Sequence, residues 1–291
     1  MQQPSENRYN HRKPSFFIRK ATGEFEPFSE KKLQQSLRRS GATEAAIDQI
    51  LKEIESQLKE GETTGNIYKK AYRLLRKQKK SAAARYKLKN AIMELGPSGF
   101  PFEQFVGEIL KRMGYSVNVG VIVNGHCVRH EVDVVAERGA EHFLVECKFH
   151  NSRGTKSDVK VALYVNARFH DIRQHREKDQ ANAELFHQMW LVTNTHFTTD
   201  AIQYGTCAGM RLLGWNYPDK NSLKDLIDQY QLFPITALST LTRHEKEHLL
   251  SRKIVLARDL LHTPQLMRET GVPAARVAQV IKEVRELCTN C

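Results

Sequence analysis

Apolar residues in the first third of the chain recur at helical spacing. Leu33 and Leu37 form a short stripe between Ser29 and Gly41. Ile47, Ile50, Leu51, Ile54 and Leu58 form a longer one between Thr43 and Gly61. Ser29 is placed to cap the first of these helices, and Gly41 to end it in the left-handed backbone that glycine tolerates. A third helix opens at Thr63-Thr64 and carries Ile67, Tyr68, Ala71, Leu74 and Leu75. After the basic stretch RKQKKS a fourth runs from Ala82 to Leu95. Ahead of them, Phe17-Ile18 and the later Phe25 and Phe28 flank a Thr22-Gly23 turn, which predicts a short β-hairpin. Residues 1–15 are polar and contain proline, and read as a disordered leader.

Gly96-Pro97-Ser98-Gly99 is the clearest linker signal. Beyond it the periodicity alternates between helix and strand. Phe105, Val106, Ile109 and Leu110 share one face of a helix over 102–113, ended by Gly114. Three valine-rich β runs follow, at 116–123, 127–136 and 142–149. Then come a helix over 156–169, a buried strand at 189–193, a helix over 198–208 and a last strand at 210–214. From about Leu232 the apolar pairs Leu249-Leu250, Ile254-Val255 and Leu260-Leu261 return to helical grammar. Thr270-Gly271-Val272-Pro273 marks a turn between helices. A chain of 291 residues organised this way is expected to hold two or three domains.

The 40% hydrophobic share is enough for packed cores and argues against global disorder. The net charge of +12 suits a polyanionic partner such as nucleic acid or a nucleotide. Five irregularly spaced cysteines are an odd number and do not make a disulfide framework, which fits a reducing cytoplasm. Cys288 and Cys291 form a C-x-x-C, but a structural zinc needs a second pair of ligands, and two free thiols is the simpler reading. No apolar stretch approaches the roughly 20 residues of a membrane span.

Two carboxylates and a lysine stand out on this valine-rich β surface. Asp133 lies in HEVDVVAE, and Glu146 and Lys148 lie in FLVECKF, giving D-x12-E-x-K across two strands joined by a short turn. In a strand Glu146 and Lys148 share a face, with Val145 and Cys147 opposite. If the strands pair, Asp133 can sit beside Glu146. An ordinary solvent-facing strand would also carry such residues, but the buried character of VDVVA and FLVEC puts the polar face at a cleft. Two carboxylates are a ligand pair for a hard cation such as Mg²⁺, and a neighbouring ammonium can stabilise charge on a phosphate under attack.

The stretch FEQFVGEILKRMGYSV…HEVDVVA…FLVECKF…LVTNTHFTTDAIQYGTCAGMRLLGW, roughly residues 100–216, resembles the Mrr-like restriction endonucleases of the PD-(D/E)xK superfamily. The resemblance implies an αβββαβ core and Mg²⁺-dependent cleavage of DNA. It makes Asp133 and Glu146 metal ligands, Lys148 the catalytic lysine and Glu103 an acidic residue that completes the site. The family's proline before the aspartate is replaced by Val132. His150 is a further candidate phosphate contact, whereas Arg168 and Lys156 read as solvated charges.

The segment IRKATGEFEPFSEKKLQQSLRRSGA, with the later TTGNIYKKAYRLL and AAARYKLKNAI, resembles an ATP-cone over residues 16–95. The resemblance implies binding of ATP or dATP, with Lys20, Glu26, Lys32, Thr64 and Tyr68 at the nucleotide. Ala21-Thr22 stands where the family has Arg-Asp. A basic helical domain that touches DNA with the same lysines is the alternative. No P-loop is present, so the nucleotide is expected to regulate access to the nuclease or the state of a homo-oligomer. Residues 231–291 form an all-α region that resembles helix-hairpin-helix units faintly, and a helical cap is an equal reading.

The expected protein is therefore multidomain. It has a mainly helical nucleotide-binding domain with a small hairpin, an α/β nuclease core at 100–230 and a helical C-terminal region. The expected function is Mg²⁺-dependent DNA cleavage under ATP or dATP control, in restriction or defence. A nucleotide-sensing DNA-binding regulator with an inactive nuclease core is the alternative, and RNA stays open as substrate.

Overall fold

The computed structural model describes residues 16–20, 23–178 and 186–288. The leader 1–15, Ala21-Thr22 and Cys291 of the C-x-x-C lie outside these residues. The chain divides into two compact units, residues 1–86 and 87–291.

In the first unit, β1 (Phe17–Arg19) and β2 (Phe25–Pro27) pair antiparallel, with Ile18 opposite Glu26. Gly23 takes φ 91° in the connecting turn, a conformation open to glycine. Four helices follow: α1 (Glu30–Arg39), α2 (Glu44–Gln57), α3 (Thr64–Gln78) and α4 (Lys80–Tyr86). Ser29, Thr43 and Thr63 cap the first three through their side-chain oxygens. Leu37, Ile47, Ile50, Ile54, Ala71 and Leu75 meet in the core. The sequence pattern predicts one helix from Ala82 to Leu95, but two are found, α4 and α5 (Leu88–Met93), in different units. The physical reason is competing anchors. Tyr86 stacks on Tyr68 at 4.9 Å between ring centroids, whereas Leu88, Ala91 and Ile92 are buried in the second unit, where Thr236 Oγ1 donates to the Ala91 carbonyl.

The second unit continues through α6 (Phe100–Arg112) into β3 (Ser116–Asn124), β4 (Arg129–Arg138) and β5 (Glu141–Lys148). The short β6 (Lys156–Ser157) precedes α7 (Val159–Lys178). Then come β7 (Gln188–Thr193), β8 (His196–Phe197), α8 (Thr199–Cys207) and β9 (Arg211–Leu213). The sheet order is β3-β4-β5-β7-β9. The first three strands are an antiparallel meander, and β7 and β9 run parallel to β5. Val135, Leu144, Leu191 and Leu212 pack with Ala162 and Val165 of α7 and Ala201 of α8. Phe102, Phe105 and Ile109 bury the inner face of α6, which lies against β3, β4 and β5. Gly107 lets that helix approach closely, since a Cβ there would lie 3.1 Å from Val119.

The expected order of helices and strands is present, with two local differences. Lys156 and Ser157 pair in parallel with His196 and Phe197 instead of starting a helix, and the Asp158 carboxylate accepts the Val161 N–H in the first turn of α7. A further helix, α9 (Leu223–Tyr230), follows the sheet; its Ser222–Asp225 capping box is a signal the sequence carries openly. The C-terminal region is helical: α10 (Arg243–Ser251), α11 (Asp259–His262), α12 (Pro264–Glu269) and α13 (Ala274–Leu287). Glu283 is buried there and accepts from the Ser239 and Thr240 N–H groups and the Ser239 hydroxyl. Among the described residues, no helix is long and apolar enough to cross a membrane.

Asp171 of α7 ties down the β3–β4 hairpin. Its carboxylate accepts the Cys127 N–H at 2.8 Å and the Val128 N–H at 3.4 Å, and lies 2.7 Å from His130 Nε2. These contacts, His130 first, hold the carboxyl well below its ordinary pKa. A carboxyl depressed on folding stabilises the protein above its unfolded pKa of about 4, and that stability is lost as pH falls toward the depressed value. Asp171→Asn is therefore expected to lower the melting temperature at pH 7, and the gap from wild type to shrink below about pH 4. A gap of constant size across that range would mean that the charge is not what holds the hairpin.

Candidate active site

The β4–β5 register brings the D…E-x-K residues to one place. Val134 pairs with Val145, so Asp133 and Glu146 stand at the next step of the ladder. Val134 and Val145 are fully buried, as the alternation requires, while Asp133 and Glu146 are half-buried and Lys148 is exposed. The Cys147 N–H donates to Asp133 Oδ2 at 2.6 Å, locking that carboxylate to the neighbouring strand. Across the parallel ladder, Glu146 lies beside Leu191 and Lys148 beside Thr193, whose hydroxyl donates to the Lys148 carbonyl at 2.8 Å.

Glu103 joins them from the first turn of α6. Gly99 starts that helix at φ 79°, and Phe102 packs on Phe149 just beyond Lys148, with ring centroids 5.5 Å apart. Gly96 is fixed by the same ring, because a Cβ there would lie 2.4 Å from it. Burial and then the charges of Asp133, Glu131 and Glu146 push the Glu103 carboxyl up to about 7. Burial and Asp133 likewise push Glu146 up to about 7, against the pull of Arg168 and Lys148. Asp133 is raised mainly by burial. Three carboxylates that resist shared ionisation form a site in deficit of positive charge, which suits a divalent cation. As placed, the side chains do not surround an ion: among the described residues no three His, Cys, Asp or Glu side chains converge as a metal centre. Asp133 and Glu146 are the pair whose chemistry fits one.

Arg168, read from sequence as a solvated charge, belongs to this site. It projects from α7, donates to Glu146 Oε2 at 2.6 Å and also donates to the Glu131 carbonyl. Its guanidinium lies 5.5 Å from the ring centroid of the exposed Tyr164. The sequence carries no signal for this contact, since Arg168 is 22 residues from Glu146 and the helix docking decides it. His150, a candidate phosphate contact, instead has its Nε2 2.9 Å from the Ser157 hydroxyl. Asn194 was also missed as a residue with a task. It is fully buried, accepts the His150 N–H at 2.8 Å and donates to the His150 carbonyl at 2.9 Å. This two-point clamp fixes the strand exit two residues after Lys148.

The nucleotide candidates lie in the first unit. Glu26 is 3.1 Å from Lys20 and 3.3 Å from Lys32, so hairpin and α1 form one ionic group. Thr64 begins α3 just after Thr63, which bridges Arg19 of β1, and Tyr68 lies one turn on, its ring against Tyr86. Lys20, Glu26 and Lys32 are thus brought together.

Comparison with known proteins agrees with the core. Residues 96–217 match the restriction endonuclease family, and residues 233–288 match the AF1548-like C-terminal family. An uncharacterized protein of Archaeoglobus fulgidus is 35% identical over 183 residues, 62% of this chain and 99% of its own length. A crystal structure of a protein of unknown function, AF1548, is similar at 34% identity and a TM-score of 0.55, covering 66% of this chain and 99% of that one. The second unit thus contains a restriction endonuclease domain of the PD-(D/E)xK superfamily. The chain belongs to the family of AF1548-like proteins.

Asn194→Ala leaves the His150 N–H and C=O without their buried partner. It is expected to cost about 2–4 kcal/mol of unfolding free energy in urea titrations. An unchanged midpoint would show that the corner after Lys148 is held by other contacts.

Proposed function

We propose that the chain is a Mg²⁺-dependent DNA endonuclease that hydrolyses phosphodiester bonds through Asp133, Glu146 and Lys148, with Glu103 completing the acidic set. The supporting observation is the crowding of three carboxylates beside a lysine, inside a domain of the restriction endonuclease family. A cation held by Asp133 and Glu146 would polarise the scissile phosphate and acidify a water. Asp133 is oriented for that task by the Cys147 N–H, and Glu146 by Arg168. Lys148, exposed at the end of β5, offers its ammonium to charge building on the phosphate or to the attacking water. A nucleotide, ATP or dATP, bound at Lys20, Glu26, Lys32, Thr64 and Tyr68, is the proposed regulator of this site. The lysines would meet its phosphates as point charges.

Supercoiled plasmid is expected to be cut by wild type in Mg²⁺ and not in EDTA. Lys148→Ala and Asp133→Asn are each expected to lose about 10²-fold or more of the rate. Cleavage that survives in EDTA or in either variant refutes the assignment, and DNA binding with no cleavage under any condition favours the noncatalytic regulator.

Isothermal titration of ATP and dATP into the full chain is expected to show saturable binding, weakened about tenfold or more in a Lys20→Ala, Lys32→Ala double variant. Absence of binding by the wild type removes the nucleotide half of the proposal and leaves the nuclease half intact.

A further inference from the structure

The positive charge of this chain is unevenly placed. Residues 1–86 carry 19 Lys and Arg against 10 Asp and Glu, a net +9, whereas residues 87–291 carry 26 against 23, a net +3. The nuclease half thus contributes little of the attraction that a DNA polyanion needs, and its site holds three half-buried carboxylates that repel phosphate. Between Glu62 and Glu94 the sequence has no acidic residue at all.

The first half of that run is α3. One side of this helix, Ile67, Ala71 and Leu75, is buried in the first unit's core. The outer side presents Lys69, Arg73, Arg76 and Lys77; Lys79 in the turn and Lys80 at the start of α4 add two more. All six are exposed, and none has an ion pair or side-chain hydrogen bond among the described residues. The contrast with Lys70 is direct, since that residue is paired with Glu62 at 3.1 Å. Lys69 with Arg73, and Arg73 with Lys77, stand at i, i+4 on the helix, where like charges are mutually destabilising. Such a row costs the fold stability unless an anion lies across it. Lys69 and Arg76 are about 10 Å apart along the axis at a rise of 1.5 Å per residue, which spans several charges of a duplex.

We infer that this outer face of α3 and the α3–α4 turn is a docking surface for the phosphate backbone of duplex DNA. The inference rests on DNA as the substrate of the proposed nuclease and adds where the polymer is held. Duplex is favoured over single strands because no exposed aromatic interleaves the six cations; Tyr72 is half-buried against the core, and stacking platforms are what single-strand sites require. Contacts of this kind read no sequence, so the surface confers affinity and not specificity. It is separate from the nucleotide candidates Lys20, Glu26 and Lys32, which already share a carboxylate.

The test uses the full chain carrying Lys148→Ala in EDTA, so that binding is read without cleavage. Anisotropy of a labelled mixed-sequence duplex is followed from 50 to 200 mM KCl, with and without Arg73→Gln, Arg76→Gln, Lys77→Gln and Lys80→Gln together. Loss of four phosphate contacts is expected to reduce the slope of log K against log salt by about 3 to 4. Affinity at the lowest salt is expected to fall about tenfold or more. A companion with Arg73→Lys and Arg76→Lys keeps the charge and is expected to bind like the parent. Far-ultraviolet circular dichroism and melting temperature check that the glutamine variant folds; removal of like charges from α3 is expected to leave it at least as stable. If it does not fold, the Arg76→Gln, Lys80→Gln pair reads the same slope with about half the change. An unchanged slope, or a larger loss for single strands than for duplex, overturns the surface. A parent that binds no duplex at any salt overturns the DNA reading itself, so the two failures are distinguishable.

Discussion

Half-burial of three carboxyls at the open end of one β-ladder is the constraint on which this site depends. Glu103, Asp133 and Glu146 are drawn together by α6, β4 and β5; burial is the first cause that raises each of them, and repulsion from Asp133 adds to the rise at Glu103 and Glu146. Nothing in the packing of a valine-rich sheet requires three acids at that place. They stay there because the surrounding structure supplies what opposes the repulsion: a backbone N–H to Asp133, the Arg168 guanidinium to Glu146, and Lys148 nearby. A site held this way is pre-arranged for added positive charge.

The scaffold around it is correspondingly stiff. α6 is fixed at its start by the Phe102–Phe149 contact and the close approach of Gly96, which sets the height of Glu103 above the sheet. α7 grips the opposite side through two residues a turn apart, Arg168 and Asp171, one on the strands and one on the hairpin. Asn194 clamps the chain beyond Lys148 from inside the core. Each of these contacts joins elements far apart in sequence, and together they place side chains that the strands alone would leave free to turn outward.

Charge is also divided unevenly between the two units. The second unit has a net charge of +3 and carries the three carboxylates, while the first has +9. In the proposed nuclease, carboxylates that would hold a cation would also repel the phosphate backbone. The proposed basic surface on the first unit would supply the attraction that the acidic site does not.

Much of the fold was legible in the chain. The 3.6-residue stripes from Leu33 to Leu75, the valine alternation around Asp133 and Glu146 and the glycines at positive φ are local properties, and local properties survive folding unchanged. So is the D-x12-E-x-K spacing, because strand alternation alone puts Glu146 and Lys148 on one face. What needed the tertiary structure was everything decided by docking. The break between α4 and α5 depends on which core claims Tyr86 and which claims Ala91. The capture of Lys156 into β6 depends on a partner forty residues away. Arg168 became a contact of Glu146, and His150 a neighbour of Ser157, only once α7 and the β5–β6 corner had been placed. Periodicity states which face of an element is buried; it carries no information about which charged side chain on another element that face will meet.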